Sequence, residues 1–269
     1  MPLIHIDGAA DPRIATYRSV SDAELLRRHG LFAAEGRMVV RRAIDDRFTL
    51  HSVLINETNY RALADTLAAV LADVPVFVCD THDFQEITGF NLHRGCLALV
   101  ERPAAVAACE ILRNSRTLVV LEGATNADNV GGIFRNAAAF GVDGVLLSPG
   151  CCDPLYRKAI RTSMGATMRV PFARLTDWPT GLADVRATGF TLVALSPRHS
   201  STTLEQFAES ERPARMALLL GTEGDGLSDA AMSAADLSIR IPTSGLVDSL
   251  NLAVACGIAL SRLSETGRL

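Results

Sequence analysis

Residues 239–254 read IRIPTSGLVDSLNLAV. An apolar β-type run stops at Pro242, which has no N–H to give to a ladder, and Gly245 lets the small-residue loop that follows turn. Asp248 or Ser249 is placed to cap a helix carrying Leu250, Ala253, Val254, Gly257 and Ile258 on its buried side. Ser249 and Asn251 then fall in the first helical turn, beside backbone N–H groups without partners inside the helix. The stretch reads as strand, polar loop and helix, the repeating unit of a parallel sheet.

Upstream, the same unit recurs. TLVVLE (117–122), GVLLS (144–148), FTLVALS (190–196), MALLLG (216–221) and LSIRIP (237–242) lack polar alternation, as strands buried on both faces of a parallel sheet do. Helical segments are expected near 129–141, 155–163, 178–188, 228–235 and 249–263. Before residue 102, helices near 21–29, 35–46 and 59–72 alternate with short β-type runs HSVLI (51–55), PVFVC (75–79) and GCLALV (95–100), a smaller α/β module. ERPAAVAACEILRNSR (101–116) contains Pro103 and is alanine-rich, which suits a partly helical linker. The expected division is a first domain over 1–102, a linker over 103–116 and a second domain over 117–269. There is no internal repeat and no low-complexity tail.

The chain has 269 residues and is 48% hydrophobic, enough for a substantial core. The longest apolar run, LNLAVACGIAL at 250–260, is too short to span a bilayer, and no signal sequence opens the chain, so no membrane partner and a cytoplasmic location are expected. The six cysteines, at 79, 96, 109, 151, 152 and 256, form no regular framework and are expected to be reduced. With 26 basic and 30 acidic residues the net charge is −4, so any site for a polyanion must be local. Only Lys158 is a lysine; the other cations are arginines, whose planar guanidinium suits bidentate phosphate contacts.

Three loops follow strand carboxyl ends, where ligands sit in parallel sheets. The first is ATNADNVGGIFRNAAAFG (124–141), in which Asn126 or Asp128 can cap a helix that places Asp128, Gly131 and Arg135 on one face. Its paired glycines leave room beside Arg135 for another backbone or a ligand. The second, LLLGTEGDGLS (218–228), sets Gly221, Gly224 and Gly226 around Glu223 and presents bare amides to a flat or anionic ligand. It matches neither a dinucleotide fingerprint nor a Walker sequence, which disfavours both classes. The third is the stretch at 239–254.

NADNVGGIFRNAAAFG, LLLGTEGDGLS and IPTSGLVDSLNLAVA resemble, in order and context, the three signature motifs of the SpoU/TrmH family of RNA ribose 2′-O-methyltransferases, within the SPOUT superfamily. RKAIRTSMGATMRVP (157–171) is similar to the segment between the first two motifs, and FAAEGRMVV (32–40) and HRGCLALV (93–100) resemble the family's amino-terminal, ribosomal-protein-like RNA-binding domain. The resemblance implies an α/β fold whose carboxyl-terminal domain has a parallel sheet and a deep trefoil knot. It further implies a homodimer and S-adenosylmethionine as cofactor. By the same resemblance Gly221, Ile241, Leu250 and Leu195 contact the cofactor, while Asn129, Arg135, Glu223, Ser249 and Asn251 occupy active-site positions. Thr243 stands where family members usually have methionine, and Asp128 where many have proline.

The reading is 2′-O-methylation of a ribose in structured RNA, ribosomal or transfer. Arg135 would hold the nucleotide's phosphate and stabilise the developing alkoxide, since its pKa makes outright deprotonation costly. Arg27, Arg28, Arg37, Arg41 and Arg42 are candidate RNA phosphate contacts. Two other readings are a non-catalytic RNA-binding or ribosome-assembly protein with this fold, and a base methyltransferase.

Overall fold

The computed structural model describes residues 3–6, 8–18, 21–70, 74–88, 95–197, 202–210 and 213–263. His93 and Arg94 of HRGCLALV, and residues 71–72 of the helix expected over 59–72, lie outside these. In chain order the elements begin with β1 (Leu3–His5), α1 (Asp22–His29), β2 (Leu31–Glu35), α2 (Arg37–Asp45) and β3 (Leu50–Asn56). There follow α3 (Glu57–Val70), β4 (Val76–Cys79), α4 (Thr81–Thr88), β5 (Cys96–Glu101), α5 (Ala108–Asn114), β6 (Thr117–Leu121) and α6 (Ala127–Ala139). Then come β7 (Gly144–Leu147), α7 (Arg157–Thr162), β8 (Phe172–Arg174), α8 (Gly181–Ala187), β9 (Thr191–Leu195) and β10 (Thr202–Thr203). The chain ends with α9 (Leu204–Glu209), β11 (Met216–Leu220), α10 (Asp229–Ala234), β12 (Leu237–Arg240) and α11 (Leu252–Leu263).

These elements form two compact units: Met1–Ala104 with Leu155–Gly165, and Ala105–Pro154 with Ala166–Leu269. The first unit holds a sheet of order β1-β4-β3-β5-β2, parallel through β1, β4 and β3 and antiparallel where β5 joins β3 and β2. Ile14, Leu54, Phe77, Phe84, Ile87 and Leu99 belong to one of its core clusters. Helix α1 is delimited by local chemistry: Ser21 Oγ accepts from the Glu24 N–H at 3.3 Å, and Gly30 closes the helix in the left-handed conformation. Helix α7 packs on β2 within this unit. The Glu35 carboxylate, 4% exposed, lies 3.8 Å from Arg157 Nε and 3.5 Å from Arg161 Nη1. Asp22 accepts from the Arg157 backbone N–H at 3.0 Å, and the Arg42 guanidinium donates to the Met164 carbonyl.

The second unit is built on a seven-stranded sheet of order β10-β12-β9-β11-β6-β7-β8, with every adjacent pair parallel. Val119, Val120, Leu121, Leu146, Val193, Leu218 and Leu219 are fully buried, as continuous apolar runs require. Helix α9 was not expected from hydrophobic periodicity; it is six residues long and held by a capping box between Thr203 and Gln206.

Two expectations about the last helix are corrected. It begins at Leu252, and its cap is Asn251, whose Oδ1 accepts from the Ala253 and Val254 N–H groups at 3.0 and 3.2 Å, in place of Asp248 or Ser249. Its buried stripe is Leu252, Cys256, Ala259, Leu260 and Leu263, whereas Val254 and Ile258 are 51% and 36% exposed and Leu250 precedes the helix. A helix apolar nearly all round offers more than one stripe of similar hydrophobicity, and packing against α6 and α9 selected the other one.

Candidate active site

Strands β6, β11, β9 and β12 are consecutive neighbours in the parallel sheet, so the loops leaving them emerge along one edge. Helix α6 starts after β6, with Asn126 as its cap: Asn126 Oδ1 accepts from the Asp128 N–H at 2.8 Å. A Cβ on Gly132 would lie 2.7 Å from Ala253 Cβ, and one on Gly257 would lie 3.0 Å from Asn136 Nδ2. The two glycines, one on each helix, therefore let α6 and α11 approach closely, and Asn136 Nδ2 donates to the Ala253 carbonyl at 2.7 Å across the same contact.

Close packing of α6 on α11 brings side chains from all three loops together. Asn251 Nδ2 donates to Asn129 Oδ1 at 2.8 Å and to Glu223 Oε1 at 3.1 Å, while its Oδ1 caps α11. Every hydrogen-bonding atom of the Asn251 amide is thus committed, and its orientation is set. Asn129 is buried, Glu223 and Asn251 exposed. Arg135 is exposed on α6, one turn beyond Gly132, with no hydrogen bond or ion pair among the described residues. Ser249 is exposed in the loop before the cap. Asn129, Glu223 and Asn251 touch; Arg135 and Ser249 make no hydrogen bond to them.

The loop after β11 is a tight hairpin. Thr222 and Gly226 exchange two backbone hydrogen bonds of 3.1 Å, with Gly224 and Gly226 at φ of +91° and +75°. Gly221 is buried, and a Cβ there would fall on the Gly226 carbonyl and the Leu227 N. Leu195 at the end of β9, Gly221 just past β11 and Ile241 just past β12 lie at the carboxyl ends of three adjacent strands. Leu195, Ile241 and Leu250 are half-buried apolar side chains, and residues 242–249 are exposed. Apolar side chains beside exposed loop backbone are suited to a ligand with a flat aromatic part and a polar tail, as S-adenosylmethionine has.

Several residues that shape the site were not singled out from the sequence. Glu122, directly after β6, accepts from Trp178 Nε1 at 2.6 Å, from Ser228 Oγ at 2.7 Å and from the Ser228 N–H at 2.8 Å. Its only sequence signal is a carboxylate at the end of an apolar strand.

The arginine candidates in the first unit differ in their commitments. Arg42 is bonded to Met164, Arg28 is paired with Glu24 at 2.9 Å, and Arg27 Nε donates to the Ala23 carbonyl at 3.1 Å. Arg37 and Arg41 are exposed on α2 with no hydrogen bond or ion pair among the described residues. Burial pushes the Cys79, Cys96 and Cys256 thiols up to about 12, so they stay protonated.

This sheet, with polar loops gathered at the carboxyl ends of neighbouring strands, defines an α/β protein of RNA-methyltransferase fold. A solved AdoMet-bound rRNA methyltransferase from Sinorhizobium meliloti superimposes with a TM-score of 0.79 at 22% identity, over 97% of each chain. A solved RNA 2′-O ribose methyltransferase superimposes with a TM-score of 0.76 at 25% identity, also over 97% of each chain. The uncharacterized tRNA/rRNA methyltransferase Mb0905 of Mycobacterium bovis is 38% identical over 261 residues, 96% of this chain and 90% of that protein. Residues 116–261 match the SpoU rRNA Methylase family, and the chain belongs to it. Among the described residues no helix is long and apolar enough to cross a membrane.

Proposed function

We propose that this chain transfers a methyl group from S-adenosylmethionine to a ribose 2′-hydroxyl of ribosomal or transfer RNA. The observation that carries this reading is the Asn251 amide joining Asn129 and Glu223, with Arg135, on the same helix as Asn129, exposed and making no hydrogen bond or ion pair among the described residues. Bound S-adenosylmethionine supplies an electrophilic sulfonium methyl. Leu195, Gly221, Ile241 and Leu250 would hold it, largely through backbone groups and apolar contact. Arg135 binds the phosphate of the target nucleotide and stabilises charge developing on the attacking oxygen. A guanidinium has no acceptor lone pair, so the hydroxyl proton leaves to another acceptor or to water. Asn251 and Glu223 hold the loops in register, and Ser249 orients the nucleotide.

Val254 and Ile258, exposed one turn apart on α11, and Leu246 and Val247, exposed in the loop before it, support a second copy of the chain as partner, because clustered exposed apolar side chains mark an interaction site. A knotted carboxyl-terminal segment belongs to the same reading through family membership. Of the five candidate arginines, Arg37 and Arg41 are the two with no hydrogen bond or ion pair among the described residues, and they are the ones proposed for RNA phosphates.

The test is incubation with labelled S-adenosylmethionine and RNA, followed by digestion. Label in 2′-O-methylnucleosides supports the reading; label in bases, or none, replaces it with base methylation or non-catalytic RNA binding. Arg135→Ala should abolish transfer while leaving cofactor affinity within a few-fold; near-normal turnover would remove Arg135 from its role.

A further inference from the structure

We infer that Glu122 is a positioning residue: its carboxylate latches the loop 221–228 and so sets where Glu223 and the donor-facing backbone lie. The inference rests on the methyltransferase reading of that loop. At the loop's entrance, Gly221 is packed under the Gly226 and Leu227 backbone, and the Thr222–Gly226 bridge closes the hairpin. At its exit, Ser228 is held by two bonds to one carboxylate, 2.8 Å from N–H to Oε2 and 2.7 Å from Oγ to Oε1. The same Oε1 accepts from the Trp178 indole at 2.6 Å, and the Glu122 N–H donates to the Leu220 carbonyl at 2.9 Å. One residue thereby ties the end of β6 to the last residue of β11, to Ser228 at the cap of α10 and to Trp178 before α8. Beyond this anchored frame only the tip, Glu223-Gly224-Asp225, projects, and Glu223 meets Asn251 there at 3.1 Å.

The chemistry requires an acceptor on both oxygens. Three N–H or O–H donors converge on the two carboxylate oxygens, and an ionised carboxylate has four lone-pair sites to receive them. Glutamine keeps the shape but replaces one oxygen with an NH2. Either orientation then sets a donor against the Ser228 N–H or the Trp178 N–H. Asp in place of Glu122 is one methylene short of reaching the same three groups. The carboxylate therefore does what neither near-isostere can.

Trp178 is the chain's single tryptophan, so its emission reports this contact directly. The experiment compares the full-length wild type with Glu122→Gln by tryptophan emission, by hydrogen exchange over 222–228, and by methyl transfer to RNA with each substrate varied. The expected result is a shifted emission maximum, exchange over 222–228 at least fivefold faster, and a donor KM raised at least tenfold with the RNA KM within twofold. Unchanged emission and exchange would overturn the latch; a loosened loop with an unaltered donor KM would overturn its role toward the donor. Should Glu122→Gln fail to fold, Ser228→Ala removes the hydroxyl contact together with the 3.2 Å cap bond from the Ala231 N–H, leaves the Glu122–Trp178 bond in place, and should shift emission and exchange over 222–226 in the same direction by less. No shift in that variant overturns the inference too. If wild-type protein transfers no methyl group to RNA, the functional reading fails, and emission and exchange still decide whether Glu122 anchors the loop.

Discussion

Gly221 has no room for a side chain of any size, because the backbone of its own loop, at Gly226 and Leu227, occupies the place of a Cβ. The family resemblance implies a cofactor contact for Gly221; the packing adds a requirement that precedes any ligand. Gly221→Ala should therefore destabilise the protein itself, by about 1–3 kcal/mol as overpacking against a rigid neighbour does. Chemical denaturation without ligand measures this, and a loss below about 0.5 kcal/mol, the usual range of an innocuous surface change, would show that the hairpin yields. Asn251 illustrates the same scale differently. From sequence it is one polar residue in a helix's first turn, yet its single amide caps α11 and joins two loops, because Asn129 and Glu223 stand 122 and 28 residues away along the chain.

At the scale of elements, the contact of α6 with α11 organises the site. Gly132 faces Ala253, and Asn136 faces Gly257 while bonding to the Ala253 carbonyl. Two glycines and one part-buried hydrogen bond let the helices approach closely. Gly132→Ala should displace α11 and lower both stability and methyl transfer, since the cap residue Asn251 moves with the helix. The double variant with Ala253→Gly returns the missing space, so its stability should exceed the sum of the two single effects, with a coupling of about 0.5–3 kcal/mol for residues in contact. Additive losses in a thermal-unfolding cycle would refute the direct contact.

On the scale of the whole molecule, residues 155–165 pack with the first unit although they lie between strands of the second. Asp22 receives the Arg157 N–H there, and burial raises its carboxyl above the usual value despite the opposing effect of Arg157. A carboxyl whose folded pKa is raised favours the folded state when protonated. Its contribution is fully present below the ordinary value of 3.8 and is lost as pH rises through the folded value. Wild-type stability relative to Asp22→Asn should accordingly fall as pH increases from that value, then level off. A difference that is flat or rises with pH would contradict the burial. The exposed apolar surface on α11 makes a further prediction at this scale: wild type should sediment as a dimer and Ile258→Glu as a monomer with little transfer activity. A wild-type monomer at micromolar concentration would exclude a second copy there.

The apolar, non-alternating runs at 117–122, 144–148, 190–196, 216–221 and 237–242 sufficed to determine a parallel sheet, because strands buried on both faces tolerate little else. Local residue chemistry also carried the three polar loops and a cap at Asn126 or Asp128, of which the structure uses Asn126. Whether Leu252 or Leu250 would face the core, that Asn251 rather than Asp248 or Ser249 would cap α11, and that Glu122 would reach Ser228 and Trp178 were decided by tertiary structure. An apolar helix has no intrinsic inside, and a carboxylate's partners 56 and 106 residues distant are set by strand order rather than by neighbouring sequence. The arginines of 155–163 show the same division: their charge is written in the chain, but Arg157 and Arg161 face Glu35 only because α7 packs on β2, where the buried carboxylate draws them in.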